Sequence, residues 1–336
     1  MSAYEPRFTI SPYLLGTVEE IARLHQRIQD ASVELAWIPA LQKDSRSRNA
    51  HASTAIEGNP LTLEEVRVIA DGRPAPAATL RREREILNYL AGLSYVESHA
   101  GDDPLTHEHV LELQRILAEG VMDQGTAGAY RDARVWVGSY RPPEPEAVPD
   151  LMSELLEWWN RASRVLSPVI SSAIVHYRFE AIHPFADGNG RTGRALALWE
   201  LYRRGFDSHH VFSVDEYYWE NRMAYYEALD RVRREDEDLS SWLVYVADGL
   251  LLTLERVWSR IQLVQPAGAQ PLVLRPKQER LLQLLSVQGS MAPSEIWEGL
   301  GVSRQGAMNL ITPLIEAGIV EKVGTKKTGR YRLKTP

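Results

Sequence analysis

The stretch IHPFADGNGRTGR, residues 182–194, gathers more reactive side chains than any other part of this chain. Gly188 and Gly190 let backbone N–H groups converge without a Cβ in the way. A helix starting near Gly190 turns its unpaired N–H groups and the positive end of its dipole toward the same spot. Arg191 and Arg194 are three apart and project near one face of that first turn. Such an ensemble suits a phosphate. Asp187 offers a hard oxygen ligand for Mg²⁺ shared with phosphate oxygens. His183 can take a proton from an attacking hydroxyl, worth roughly 10²–10⁴-fold in typical enzymes. Asn189 can donate to a phosphate oxygen as charge builds there. The chemistry these residues describe is metal-assisted attack of a hydroxyl on a nucleotide phosphate.

The same stretch resembles the signature H-x-F-x-D/E-G-N-G-R-x-x-R of the Fic family of nucleotidyltransferases. All eight fixed positions agree: His183, Phe185, Asp187, Gly188, Asn189, Gly190, Arg191 and Arg194. The resemblance covers about residues 10–263. It implies transfer of AMP from ATP to a Ser, Thr or Tyr hydroxyl of a target protein or of the chain itself, with release of pyrophosphate. On that likeness His183 is the base, Asp187 holds Mg²⁺, and Asn189 with the Gly188 and Gly190 backbone binds α- and β-phosphate oxygens. Arg191 and Arg194 take the outer phosphates, and Phe185 anchors the loop. The phosphate-transferring Doc branch has lysine where Gly190 stands, which weighs against kinase chemistry.

Two further segments fit the likeness. Ser53-Thr54-Ala55-Ile56-Glu57-Gly58 is similar to the family's inhibitory S/T-x-x-x-E-G/N motif, so Glu57 is expected to pair with Arg194 and block a productive ATP pose. AGAYRDARVWVG, with Gly128, Tyr130, Arg131, Val135, Val137 and Gly138, resembles the family's flap, where a target segment would add as a strand. Tyr217 and Tyr225 are the candidates for an adenine slot. His176 is expected to pack behind the loop, and the pair His209-His210 near Asp207 to lie on the surface.

These residues need a scaffold of helices, and helical periodicity dominates. Expected helices run near 14–32, 46–57, 63–71, 78–98, 107–118, 148–163, 168–181, 190–204, 215–234 and 239–263. Thr62 to Glu65 reads as a capping box, and Ala133–Tyr140 as the one extended stretch, a short hairpin before RPPEPEAVP. The fold class is therefore mainly α: a Fic-type helical bundle with a short β-hairpin flap, plus a C-terminal winged helix-turn-helix domain. The expected division is an N-terminal helical region at 1–100 with the inhibitory helix near 46–57, a catalytic core at 101–263, a linker at 264–275, and the winged helix at 276–336.

At 336 residues, with 25% charged and 44% hydrophobic residues, the chain reads as globular with two or three domains. It has no cysteine, which excludes thiolate metal sites and a cysteine nucleophile. No secretory signal or membrane span is read, so the chain is expected to be cytoplasmic. Residues 271–336 hold ten Lys/Arg against five Asp/Glu; with −7 overall, the other 270 residues carry −12. The tail's basic residues Lys322, Lys326, Lys327, Arg330, Arg332 and Lys334 fall on the expected wing. Only Arg304, Gln305 and Asn309 of the third helix suit base edges, and Pro313 is expected to kink it. A DNA-binding regulator carrying a Fic domain is thus the alternative, with AMP removal or another nucleotide as further variants. A protein or homodimer contact is the favoured use of the tail.

Overall fold

The computed structural model describes residues 4–30, 38–75, 78–207, 210–264, 274–324 and 329–334, which hold fourteen α-helices, two short 3-10 helices and one two-stranded sheet. In chain order the helices are α1 (Pro12–Asp30), α2 (Ile38–Ile56), α3 (Leu63–Ala70), α4 (Leu80–Ser98), α5 (His107–Ala118), α6 (Val148–Asn160) and α7 (Pro168–Ile182). They continue with α8 (Asn189–Arg203), α9 (Asp215–Glu220), α10 (Arg222–Arg234), α11 (Ser240–Val264), α12 (Pro276–Gln288), α13 (Pro293–Gly299) and α14 (Arg304–Glu316). The strands β1 (Val320–Val323) and β2 (Arg330–Leu333) follow. The contacts group Met1–Gln26 with Ser45–Leu254 as one unit, and Arg27–Asp44 with Glu255–Pro336 as a second.

In the first unit α7 and α8 form the centre. Both are buried almost all round, as a helix in the middle of a bundle must be. Some of their polar groups tie neighbouring helices together. The Glu200 carboxylate accepts from Trp159 Nε1 and Ser171 Oγ, both at 2.6 Å, which ties α6, α7 and α8 together. Trp242 of α11 donates to the Ala173 carbonyl at 2.8 Å. Local signals set the helix ends. The Glu65 carboxylate accepts from the Thr62 N–H while the Thr62 hydroxyl accepts from the Glu65 N–H, a complete capping box.

The structure corrects two expectations. The helix read over 215–234 is broken at Asn221, whose backbone leaves the helical region (φ −135°, ψ 69°) and whose side chain accepts from the Ala224 N–H to start α10. Asparagine competes for backbone donors in this way, which favours caps over helix interiors. The expected hairpin at Ala133–Tyr140 is not a strand ladder: Val137 and Tyr140 exchange one pair of backbone hydrogen bonds around a turn, an isolated bridge. α14 runs from Arg304 to Glu316 with Pro313 inside it.

The second unit has its own core of Leu281, Leu282, Leu285, Ile296, Ile311, Leu314 and Tyr331. α12, α13 and α14 precede the antiparallel pair β1–β2, which aligns Val320 with Leu333 and Val323 with Arg330. Ser303 caps α14, accepting from the Gly306 N–H. Residues 265–273 of the expected linker, and Lys326 and Lys327 of the expected wing, lie outside the described residues.

Candidate functional site

The loop between α7 and α8 is held from both sides. α7 ends at His183, whose backbone turns left-handed (φ 50°, ψ 60°), an uncommon conformation for a residue with a side chain. Arg131 fixes that turn: its N–H donates to the Pro184 carbonyl at 2.9 Å, and its guanidinium to the carbonyls of His183 at 2.8 Å and Pro143 at 2.5 Å. One arginine thus joins the base of the flap to the histidine. Phe185 is fully buried against Phe179 and Tyr130. Gln114, also fully buried, donates to the Asp187 carbonyl at 3.0 Å and accepts from the Gly128 N–H. Gly188 caps α8 in the left-handed region (φ 81°), where a Cβ is costly.

The loop opens onto a cavity of about 620 Å³, lined by Val137 and Gly138 of the flap-like turn, His183, Asp187, Gly188, Asn189, Gly190, Arg191, Arg194 and Glu57, and by Tyr225 and Tyr226 of α10. That volume suits a nucleotide-sized ligand. The first N–H groups of α8 have no partner within the helix, so Asn189, Gly190 and Arg191 present donors and a positive dipole end to this space. Arg191 is nearly buried, steadied by the Leu117 carbonyl at 3.3 Å and lying 3.7 Å from Asp187, with its Nε unpartnered.

Arg194 is 1% exposed at its side chain and pairs with Glu57 at 2.7 Å, while Glu57 is 40% exposed. The guanidinium also donates to Ser53 Oγ at 2.8 Å and to the Ser53 carbonyl at 3.0 Å, and lies 3.9 Å from Asp215. Burial works against its charge, but Glu57, Tyr225, Asp215 and Tyr89 more than offset this and hold it above its usual range. The half-open Glu57 contact is screened by solvent and is worth on the order of 1 kcal/mol, whereas the buried Ser53 and Asp215 contacts remain whether or not Glu57 is present.

Some expected residues take other places. The Asn189 amide is spent on the loop itself: Oδ1 accepts from the Phe185 N–H at 2.9 Å and Nδ2 donates to the Phe185 carbonyl at 2.8 Å, so its side chain is not a free donor. The Gly188 N–H donates to the Asp187 carboxylate, leaving the cradle to the next three amides. Tyr217 does not line the cavity; it packs over Gly249 and against Tyr245, because the break at Asn221 resets the register between α9 and α10. Tyr225 is 1% exposed and shares a hydrogen bond at 3.0 Å with the buried His176. Asp207 is buried and caps a turn through the Val211 and Phe212 N–H groups, while His210 packs on Tyr202 and His209 lies outside the described residues.

Residues without a sequence motif also belong to the site. Tyr226, Arg222 and Arg233 line the cavity. Glu180 lies against His183, its Oε2 3.7 Å from Nδ1. Burial raises the Glu180 carboxyl, but His183, His176 and Arg194 outweigh that and hold it below the usual carboxylate range. As for a metal, no group of three or more ligating side chains occurs among the described residues. Asp187 is one carboxylate, a third exposed, facing the cavity beside the α8 amides. That donor set fits a Mg²⁺ ion carried mainly by phosphate oxygens and fits no ion held by protein alone.

A histidine and a pair of arginines thus meet at the start of one helix and line one cavity. Residues 104–201, which contain it, match the Fic/DOC family, and the chain has the fold of the Fic domain proteins. Over its whole length it superposes on a Fic family protein from Desulfovibrio desulfuricans with a TM-score of 0.69 and 27% identity, covering 99% of both chains. Fic-1 of Caenorhabditis elegans (residues 134–508) shares the fold, with a TM-score of 0.63 at 24% identity over 74% of this chain and 73% of that one. In sequence the chain is similar to protein adenylyltransferase fic-1 of C. elegans, 31% identical over 61% of this chain and 43% of that protein. It is 30% identical to protein adenylyltransferase Fic of Culex quinquefasciatus over 69% of this chain and 45% of that protein. The chain spans less than half the length of these two relatives.

Proposed function

We propose that the chain is a protein adenylyltransferase that moves AMP from ATP to a Ser, Thr or Tyr hydroxyl of a target protein or of itself. The observation that carries this reading is the meeting of His183, the α8 amides, Arg191 and Arg194 in one cavity beside the flap turn, joined to the likeness to proteins named adenylyltransferases. The triphosphate tail lies on the Asn189, Gly190 and Arg191 amides and between the two guanidinium groups. His183 takes the hydroxyl proton, the oxygen bonds to the α-phosphorus, and the bond from that phosphorus to the β-bridging oxygen breaks, releasing pyrophosphate. A Mg²⁺ ion held by Asp187 and the phosphates would neutralise charge on the leaving group. The backbone of Val137 and Gly138 is where a target segment would lie, and Tyr225 and Tyr226 where the base would rest.

Glu57 serves as the brake. It occupies the solvent-side face of Arg194, where the terminal phosphate would bind, and its carboxylate repels that phosphate. Both outcomes are read in one experiment: intact mass of the Glu57→Gly protein after incubation with Mg²⁺ and each nucleoside triphosphate in turn. Gain of one adenylyl group from ATP alone, absent in Glu57→Gly/His183→Ala, is expected. No gain with any triphosphate ends the transferase reading, and gain from another base, or loss of AMP from a modified target, redirects it.

We further read α12–α14 with β1–β2 as a winged helix used for protein contact. Two of its cations are already paired, Arg330 with Glu295 at 2.8 Å and Arg332 with Glu321 at 2.7 Å, which weakens a phosphate-binding wing. Duplex binding at low salt that falls steeply as salt rises would reverse this choice in favour of DNA.

A further inference from the structure

We propose that Glu180 is a positioning residue for His183: its carboxylate faces Nδ1 of the imidazole, places the ring proton there, and leaves the Nε2 lone pair to the cavity. This deepens the adenylyl-transfer reading and rests on it. Glu180 lies one turn before His183 on α7, with Oε2 3.7 Å from Nδ1. That nitrogen is buried and has no hydrogen-bond partner, and Glu180 Oε1 is likewise buried and unpartnered. A neutral imidazole carries its proton on the nitrogen whose neighbour accepts it, and the carboxylate is the acceptor at hand. The rest of the residue is already fixed. Its N–H is bound to the Phe179 carbonyl and its own carbonyl to Arg131, so the imidazole orientation is the freedom left to set.

The chain makes room for this carboxylate. A Cβ at Gly193 would stand 2.5 Å from Glu180 Oε1 and 3.1 Å from the Phe179 ring, so α8 carries a glycine where the carboxylate lies against it. The ionisable groups around Glu180 are His183 and His176 on its own helix, Arg194 on α8 and Tyr225 on α10. Arg194 and the two imidazoles favour the charged carboxylate. As His183 accepts the hydroxyl proton at Nε2, it becomes a cation in a largely buried site, and the facing carboxylate stabilises it.

The test uses the full chain labelled with ¹⁵N-histidine, with the His183 signals assigned by their loss in His183→Ala. In long-range ¹H–¹⁵N spectra, recorded at a pH where the ¹⁵N shifts themselves show the ring neutral, His183 is expected as the Nδ1–H tautomer. An Nε2–H ring in the parent overturns the proposal without any variant. In the Glu57→Gly background, Glu180→Gln is expected to lower kcat by roughly 10²–10⁴-fold with the ATP KM within about twofold. Glu180→Asp, which keeps the charge but retracts it by one methylene, should fall between. A Gln variant with unchanged kcat, or a loss confined to KM, overturns it as well. If Glu57→Gly transfers nothing, the functional reading fails while the tautomer still decides the role of Glu180.

Discussion

At the scale of single residues, Asn189 separates two kinds of site residue. A loop asparagine next to glycines and arginines invites a role as phosphate donor, yet its amide bridges Phe185 N–H and carbonyl within the loop. Side-chain type and spacing told that Asn189 belongs to the site, but not which way its amide points, because a short loop can close on itself as readily as on a ligand. Asn189→Ala should therefore cost stability first, about 1–3 kcal/mol from two lost hydrogen bonds in a buried loop, measured as a lower urea midpoint. A variant with unchanged stability and weakened nucleotide binding would restore the donor role. Asp187 differs again: its carboxylate holds the Gly188 N–H yet stays a third exposed. Asp187→Ala should weaken ATP binding with Mg²⁺ more than binding without it, compared by calorimetry, and an equal loss in both conditions would refute the ligand role.

At the scale of elements, the site depends on how a flap with little strand pairing is kept in place. Between Gly128 and Pro143 the chain has one bridge and a turn, so the order comes from Arg131, whose guanidinium reaches three carbonyls besides the His183 one: Ala133, Pro143 and Ile182. A lysine has one nitrogen and cannot span these acceptors. Arg131→Lys should lower kcat at least about tenfold, since a misplaced base costs more than a weakened binding contact, with the ATP dissociation constant little changed; steady-state kinetics in the Glu57→Gly background would check it. The arginine stood in the sequence within a flap-like pattern, and the starts of α3 and α8 were equally legible because caps and glycines act locally. The break at Asn221 was not, since DEYYWENRMAYYEAL keeps one helical period through it. What ends α9 is a single side chain capturing the Ala224 N–H, and that half-turn decides that Tyr225 and Tyr226, not Tyr217, face the cavity.

At the scale of the whole molecule, two buried groups in the first unit make stability follow pH in opposite directions. Burial lowers His176 from 6.5 to about 4, because charging it among Tyr218, Tyr225 and Trp242 is costly. The unfolded chain then binds the proton more readily, so stability present above pH 6.5 is lost as pH falls toward about 4. Burial raises Asp207 from 3.8 to about 7 despite the Val211 and Phe212 N–H groups. Here the folded chain holds the proton more tightly, so stability present below pH 3.8 is lost as pH rises toward about 7. Between about pH 4 and 6.5 the two slopes cancel, and the parent should show little change from this pair. Asp207→Asn removes one side of the balance. Its stability relative to the parent should fall by about 3 kcal/mol from pH 6.5 down to 4, on top of a pH-independent cost for the altered turn. Urea unfolding of both proteins at several pH values reads this directly, and parallel curves for parent and variant would show that Asp207 titrates alike in the folded and unfolded chain.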